Sequence, residues 1–252
     1  MNTLVTGGSG RLGSMFKKKH PKFLYPTVKE LDIIDPSSIH KYLNTHKISN
    51  IIHLAAMTAV DKCETNRELA YEINVVGTQN LYRESIYGGI PSFIYVNSAC
   101  IFGGNREEVA YEDTIPVPDN YYGVTKLLAE HSLLSMYDMA PIGDVFYKLN
   151  IVRTNFTSMP WEYPAAFTDR YGTYLFTENV VDGIMDVFNT VCTPTIIHLC
   201  GDKKMSMYEY ATLGKSNVKK ITMADYNGPA KLTKNMSLGT KHWTPYEAKL
   251  AK

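Results

Sequence analysis

Four scarcities in this chain each remove a class of function. It has no apolar run of about 18 residues, so nothing in it reads as a transmembrane helix and no membrane partner is expected. Its charge has no dominant sign. With 26 Lys and Arg against 25 Asp and Glu the formal charge is +1, and the bases are scattered, which leaves no basic stripe for nucleic acid. The runs Lys17-Lys18-Lys19 and Lys219-Lys220 read as solvated faces. Cysteine is sparse: Cys63, Cys100, Cys192 and Cys200 lack metal-ligand spacing, so no metal is expected, and they read as reduced thiols of a cytoplasmic protein. No repeat or low-complexity tract interrupts the chain. Two glycosylation patterns, Asn155-Phe156-Thr157 and Asn235-Met236-Ser237, carry weight only with a secretory route, and a first strand opening at Met1 leads us to expect no signal peptide.

What is there is chemistry at two spacings. Tyr122 and Lys126 stand four residues apart in Tyr-Gly-Val-Thr-Lys, one turn apart on one face if 120–138 is helical. An ammonium so placed favours phenolate. A free tyrosine titrates near pH ~10, so proton exchange near neutrality needs a fall of ~3 units, about 4 kcal/mol. Far upstream, Gly7-Gly8-Ser9-Gly10-Arg11-Leu12-Gly13 follows an apolar run and opens a helix-like segment. A strand, a glycine turn and a helix N-terminus aim backbone N–H groups at a pyrophosphate. By itself the glycine pattern also fits a mere tight turn.

Periodicity predicts alternating elements. Strands are expected at 2–6, 22–25, 50–54, 92–98, 144–152 and 195–199, and helices near 10–19, 36–46, 64–87, 120–138 and 178–190. That alternation predicts an α/β fold, a doubly wound parallel sheet of the Rossmann type. We expect a dinucleotide-binding domain over 1–152 and a small substrate lobe over 153–252, interwoven with the last sheet elements. Loops rich in Pro and Gly at 103–120 and 157–172 should cross the carboxyl ends of the strands, and the tail 225–252 should wrap the core.

These residues and their order resemble the extended short-chain dehydrogenase/reductases, in particular the dTDP-4-dehydrorhamnose reductases. The glycine pattern matches at Gly7, Gly10 and Gly13, with Ser9, Arg11 and Leu12 between them, and Asp32-Ile33 resembles the family's pair near the adenine. Ile51-Ile52-His53-Leu54-Ala55-Ala56-Met57 is similar to the segment whose small Ala pair lets the cofactor lie against backbone, and Asn74 resembles the asparagine of the next helix. Val96-Asn97-Ser98 looks like the strand bearing the catalytic hydroxyl, before Tyr122 and Lys126. Ile151–Phe156 and Asp169–Thr173 resemble two further segments. The resemblance implies reduction of the 4-keto group of a nucleotide-linked 4-keto-6-deoxy sugar. Ser98, Tyr122 and Lys126 would be catalytic, with Tyr122 and Lys126 also binding the cofactor, Lys126 at the nicotinamide ribose. Gly7, Ser9, Gly10, Arg11, Leu12, Gly13, Asp32, Ile33, Leu54, Ala55, Ala56 and Asn74 would hold the cofactor. A homodimer is a further expectation.

No acid follows the 22–25 strand where an NAD site would hold the ribose, and Arg11 and Lys29 could meet a 2′-phosphate, so NADP(H) is favoured over NAD(H). His53 reads as a hydrogen-bonded core residue, Tyr121 as packing or a substrate wall, and Trp161 with Tyr163 as an anchor or a stacking platform. Ala99 stands where many relatives carry Asp, and 154–169 looks shorter by about a helix. Two alternatives remain. Cys100 falls where GDP-fucose synthases keep an epimerising Cys, but the matching stretch from Asn155 has no His. The chain also resembles the regulatory β subunit of methionine adenosyltransferase, which would bind and not turn over.

Overall fold

The structure, a computed structural model, describes residues 2–104, 106–139, 147–157, 161–214 and 217–247. Strict alternation of side chains along its strands builds two cores on opposite faces of one sheet. Leu4, Ile51, Phe93, Tyr95 and Ile151 point to one face, and Val5, Ile52, Ile94 and Val152 to the other. Each is buried, and each such side chain contributes roughly 1.5–3 kcal/mol.

The strands are β1 (Asn2–Thr6), β2 (Ile48–His53), β3 (Ser92–Ser98), β4 (Lys148–Thr154) and, late in the chain, β9 (Ile196–Leu199); they lie side by side in that order, all parallel. Helices α1 (Arg11–Lys19) and α7 (Thr177–Asn189) cover the Val5 face. Helices α2 (Pro36–His46), α5 (Gly77–Tyr87) and α6 (Tyr121–Met139) cover the Leu4 face. Local chemistry sets these ends: Asp35 caps α2 by accepting from Ser37 N, with Pro36 in the first turn, and Lys47 closes it at φ 48°.

Two expectations need correction. The strand at 22–25 shrinks to one parallel bridge, Leu4 to Leu24, because that segment turns away after Leu24 N donates to Thr3 O and Val5 N to Leu24 O. The single helix at 64–87 divides into α3 (Val60–Thr65), α4 (Arg67–Tyr71), a π-turn at Glu72–Val76 and α5. Of the strand drawn at 144–152, residues 144–146 lie outside the described residues.

The remaining elements are short: β5 (Phe156–Thr157), β6 (Ala165–Phe167), β7 (Tyr171–Gly172), β8 (Leu175–Phe176), β10 (Met205–Ser206), α8 (Met207–Thr212), β11 (Lys219–Ile221) and β12 (Asn235–Met236). They pair as β10-β7-β12, β11-β6 and β5-β8. No helix occurs among the described residues of 154–169. The tail stitches this region to the main sheet: Glu112 accepts from Thr240 Oγ1 at 2.6 Å and Lys241 N at 2.9 Å, and Tyr246 bridges to Gly201. Among the described residues no helix is long and apolar enough to cross a membrane, and no cluster of three metal-ligating side chains occurs. All four cysteines are free.

Candidate active site

Chain direction puts a crevice at β1. From β1 the chain runs first to the Leu24 bridge on one side and then to β2 on the other, and ligands bind at such a switch, beyond the carboxyl ends of the strands. A cavity of about 1310 Å³ lies there.

Two glycines shape its floor. Gly7 has φ 71°, and a Cβ there would meet Ala55 N at 2.7 Å; a Cβ on Gly13 would lie 2.2 Å from Gly7 O. The loop therefore sits flush against Leu54-Ala55. Helix α1 begins with neither a side-chain cap nor an acid in its first turn, which leaves its N–H groups open to an anion. Asp32 and Ile33 line the same cavity, and Asp32 is held by Ser38 and Ile34 N. A cradle that any Cβ would fill, open N–H groups and a half-buried carboxylate fit a dinucleotide.

Ser98, Tyr122 and Lys126 line the cavity too. Ser98 ends β3 and accepts from Cys100 N at 3.1 Å, while its hydroxyl is also hydrogen bonded to Tyr122. Tyr122 and Lys126 are both buried on α6, as their spacing predicted. The titration differs from expectation. Burial, with Cys100 and Cys63 adding to it, raises the Tyr122 phenol well above its ordinary range, and the Ser98 hydrogen bond opposes this only in part. Lys126 does not supply the expected depression. Its ammonium instead donates to Val96 O at 2.9 Å, and burial lowers it to about 7 despite the opposing field of Glu130. Tyr122 is thus a phenol with a proton to give.

Asn74 is not a wall of the cavity. It is 1% exposed, inside the π-turn, where its Oδ1 accepts from Met57 N at 2.7 Å and its amide donates to Met57 O at 3.0 Å. It holds the backbone beside Ala55-Ala56 from behind. Lys29 also lies off the cavity, whereas Lys17 lines it. Arg11 lines it but is engaged: it pairs with Glu162 at 2.9 Å and is hydrogen bonded to Tyr163, which raises its pKa first of all, against burial.

His53 is the core residue expected, hydrogen bonded to Thr6 at 2.7 Å and Thr78 at 2.9 Å. Tyr121 packs under Arg67 and is off the cavity; Trp161 is buried and lines it. Sequence reasoning passed over Arg170, Tyr174 and Met236, which line the cavity near Cys100. Arg170 stood in the matched Asp169–Thr173 segment, the one signal that could have drawn attention to it.

The chain matches the model of the family described as RmlD substrate binding domain over residues 1–249. It is 35% identical over 124 residues to methionine adenosyltransferase 2 subunit beta of Xenopus tropicalis, covering 49% of this chain and 35% of that protein. It is 32% identical over 139 residues to GDP-6-deoxy-D-talose 4-dehydrogenase of Aggregatibacter actinomycetemcomitans, covering 52% and 47%. The match thus spans about a third to a half of the length of these relatives. A solved dTDP-4-dehydrorhamnose reductase of Clostridium acetobutylicum superposes with a TM-score of 0.80 at 26% identity, over 95% of this chain and 90% of that one. The same enzyme of Bacillus anthracis in complex with NADP, 23% identical over 95% and 91%, shares the fold at 0.80. A family match that runs nearly the length of the chain, on a fold common to those structures, leads to one conclusion: the chain belongs to the RmlD substrate binding domain family of the extended short-chain dehydrogenase/reductases.

Proposed function

We propose that the chain reduces the 4-keto group of a nucleotide-linked 4-keto-6-deoxy sugar, with NADP(H) as its cofactor. The observation that carries this reading is one cavity lined by both the glycine cradle and the Ser98–Tyr122–Lys126 set. A nicotinamide cofactor, when bound, supplies the hydride. The chain's own groups do the rest. Ser98 Oγ holds the carbonyl oxygen, and Tyr122 gives it a proton as negative charge develops there. Lys126 holds the ribose. Gly7, Ser9, Gly10, Leu12 and Gly13 bind the pyrophosphate, and Asp32, Ile33, Leu54, Ala55 and Ala56 seat the adenosine side.

Arg170 supports an anionic, nucleotide-linked substrate. Its Nε donates to Thr233 O at 3.0 Å and its Nη2 to Met236 Sδ at 3.5 Å, and no carboxylate pairs with it among the described residues. Donors remain for a diphosphate in the cavity that Cys100, Tyr174, Met207 and Met236 also line. Plain reduction is favoured over epimerisation because no described histidine lines the cavity, so Cys100 has no partner base of that kind. The preference for NADP(H) rests on Arg11 and Lys17.

A second reading, a binding subunit without turnover, is favoured by the likeness to methionine adenosyltransferase 2 subunit beta. Offering the purified protein NADPH with a set of dTDP- and GDP-linked 4-keto-6-deoxy sugars separates the two. Oxidation of NADPH tied to a 4-hydroxy product supports the reductase; tight NADPH binding with no oxidation on any of them overturns it.

A further inference from the structure

The Lys126 ammonium lacks the counterion its burial calls for. Lys126 is 3% exposed, and among the described residues it has one hydrogen bond, to Val96 O, and no salt bridge. The nearest carboxylate along α6, Glu130, is already committed: Arg153 Nε donates to its Oε2 at 3.0 Å, Arg153 Nη2 donates to its Oε1, and Asn97 donates to it as well. What does face the ammonium is a ring. Lys126 Nζ lies 4.2 Å from the centroid of Tyr95, inside the range over which an aromatic face attracts a cation. Tyr95 is fully buried on β3, and its hydroxyl has no hydrogen-bond partner among the described residues, so the ring and not the phenol is what this position uses.

We propose that Tyr95 is a positioning residue, its ring face holding the Lys126 ammonium charged and in place beside Tyr122. The inference rests on the reading that Lys126 serves this site. Besides Tyr95, the titratable groups around Lys126 are Tyr122 and Glu130 on its own helix and His53 on β2. His53 stacks on Tyr95 at 5.8 Å and 26°, and burial together with the Lys126 charge keeps it neutral, at about 3. A neutral imidazole against the ring adds no positive charge to compete with Lys126. Burial brings Lys126 down to about 7, so a ring worth about one unit shifts the charged fraction of the amine at neutral pH.

The test reads Lys126 directly, in full-length protein labelled at lysine Cε, with its signal identified by its loss in Lys126→Met. In the unmutated protein the Lys126 Hε protons should be shifted upfield by the Tyr95 ring current. Tyr95→Phe should keep that shift and the titration midpoint. Tyr95→Leu should abolish the shift and lower the midpoint by about one unit. Hε protons at ordinary positions in the unmutated protein overturn the proposal, even if Tyr95→Leu does not fold. So does an unchanged midpoint in a folded Tyr95→Leu. These readouts need no substrate, so a chain that reduces no nucleotide sugar still tests the ring. Where turnover is found, the alkaline limb of kcat/KM should move down with the midpoint in Tyr95→Leu.

Discussion

Asn74 Nδ2 donates to Thr125 Oγ1 at 2.9 Å, and Thr125 stands between Tyr122 and Lys126 on α6. One buried amide therefore ties the π-turn, the Met57 backbone beside the glycine cradle and the helix that bears Tyr122. A π-turn in a helix often marks such a place, because the extra residue re-aims one side chain.

Asn74→Ala should cost roughly 2–4 kcal/mol, since Met57 N, Met57 O and Thr125 each lose a buried partner. Urea unfolding measures the loss. A change under about 0.5 kcal/mol would show that water or a neighbour replaces the amide.

Tyr122→Phe removes the phenol hydroxyl, and with it the transferable proton and the bond to Ser98. Turnover should fall by ~10²–10⁴-fold while the NADPH dissociation constant holds, read by steady-state assay and fluorescence titration. Undiminished turnover would remove Tyr122 from the mechanism.

The Arg11–Glu162 pair is half exposed on both sides and worth at most about 1 kcal/mol to folding. Glu162→Gln should leave stability nearly unchanged and tighten NADPH more than NADH by releasing Arg11. Arg11→Ala should weaken NADPH preferentially, by about 1.5–3 kcal/mol. Equal effects on the two cofactors in both variants would mean that Arg11 never meets the 2′-phosphate.

Two buried histidines make stability depend on pH. Burial lowers His53 to about 3 and His198 to about 4, in the latter against the opposing pull of Glu112. Both folded values lie below the unfolded value near ~6.5, so between them the unfolded chain binds more protons. This contribution is complete above about pH 6.5 and is lost as pH falls toward 4 and then 3. The slope should approach about 1.4 kcal/mol per pH unit for each histidine. Unfolding curves from pH 6.5 to 5, above the carboxylate range, test this, and a flat stability profile there would exclude it.

Cys100 Sγ lies 3.7 Å from Met236 Sδ in the cavity wall, as a small apolar filler does. Turnover in D₂O should place no solvent deuterium at C3 or C5 of the product, and Cys100→Ser should keep most activity. Enzyme-dependent deuterium at either carbon, seen by mass spectrometry against a no-enzyme control, would make Cys100 an epimerising residue.

Much of this was legible before any coordinates because it is local. The glycine spacing, the helix expected at 36–46 and the four-residue step from Tyr122 to Lys126 depend on neighbours a few residues away, and all appear where the sequence puts them. The strand at 22–25 failed because an edge segment with one bridge to Leu4 has the same apolar signature as a full strand. The helix at 64–87 was read as one piece because the break at Asn66, φ −126° and ψ 61°, is a single residue and the π-turn leaves the helical pattern of side chains almost unchanged.

Sequence alone determined the alternation of strands and helices, the cradle and the identity of the Ser98, Tyr122 and Lys126 side chains, since periodicity and spacing act along the chain. Tertiary structure decided where each charge stands. It assigned Glu130 to Arg153 and not to Lys126, set Lys126 over Tyr95, turned Arg11 toward Glu162 and placed Asn74 behind the cavity wall. Those outcomes depend on which of several partners packing brings within a few ångströms, and on burial that raises Tyr122 where a helix-only argument lowers it.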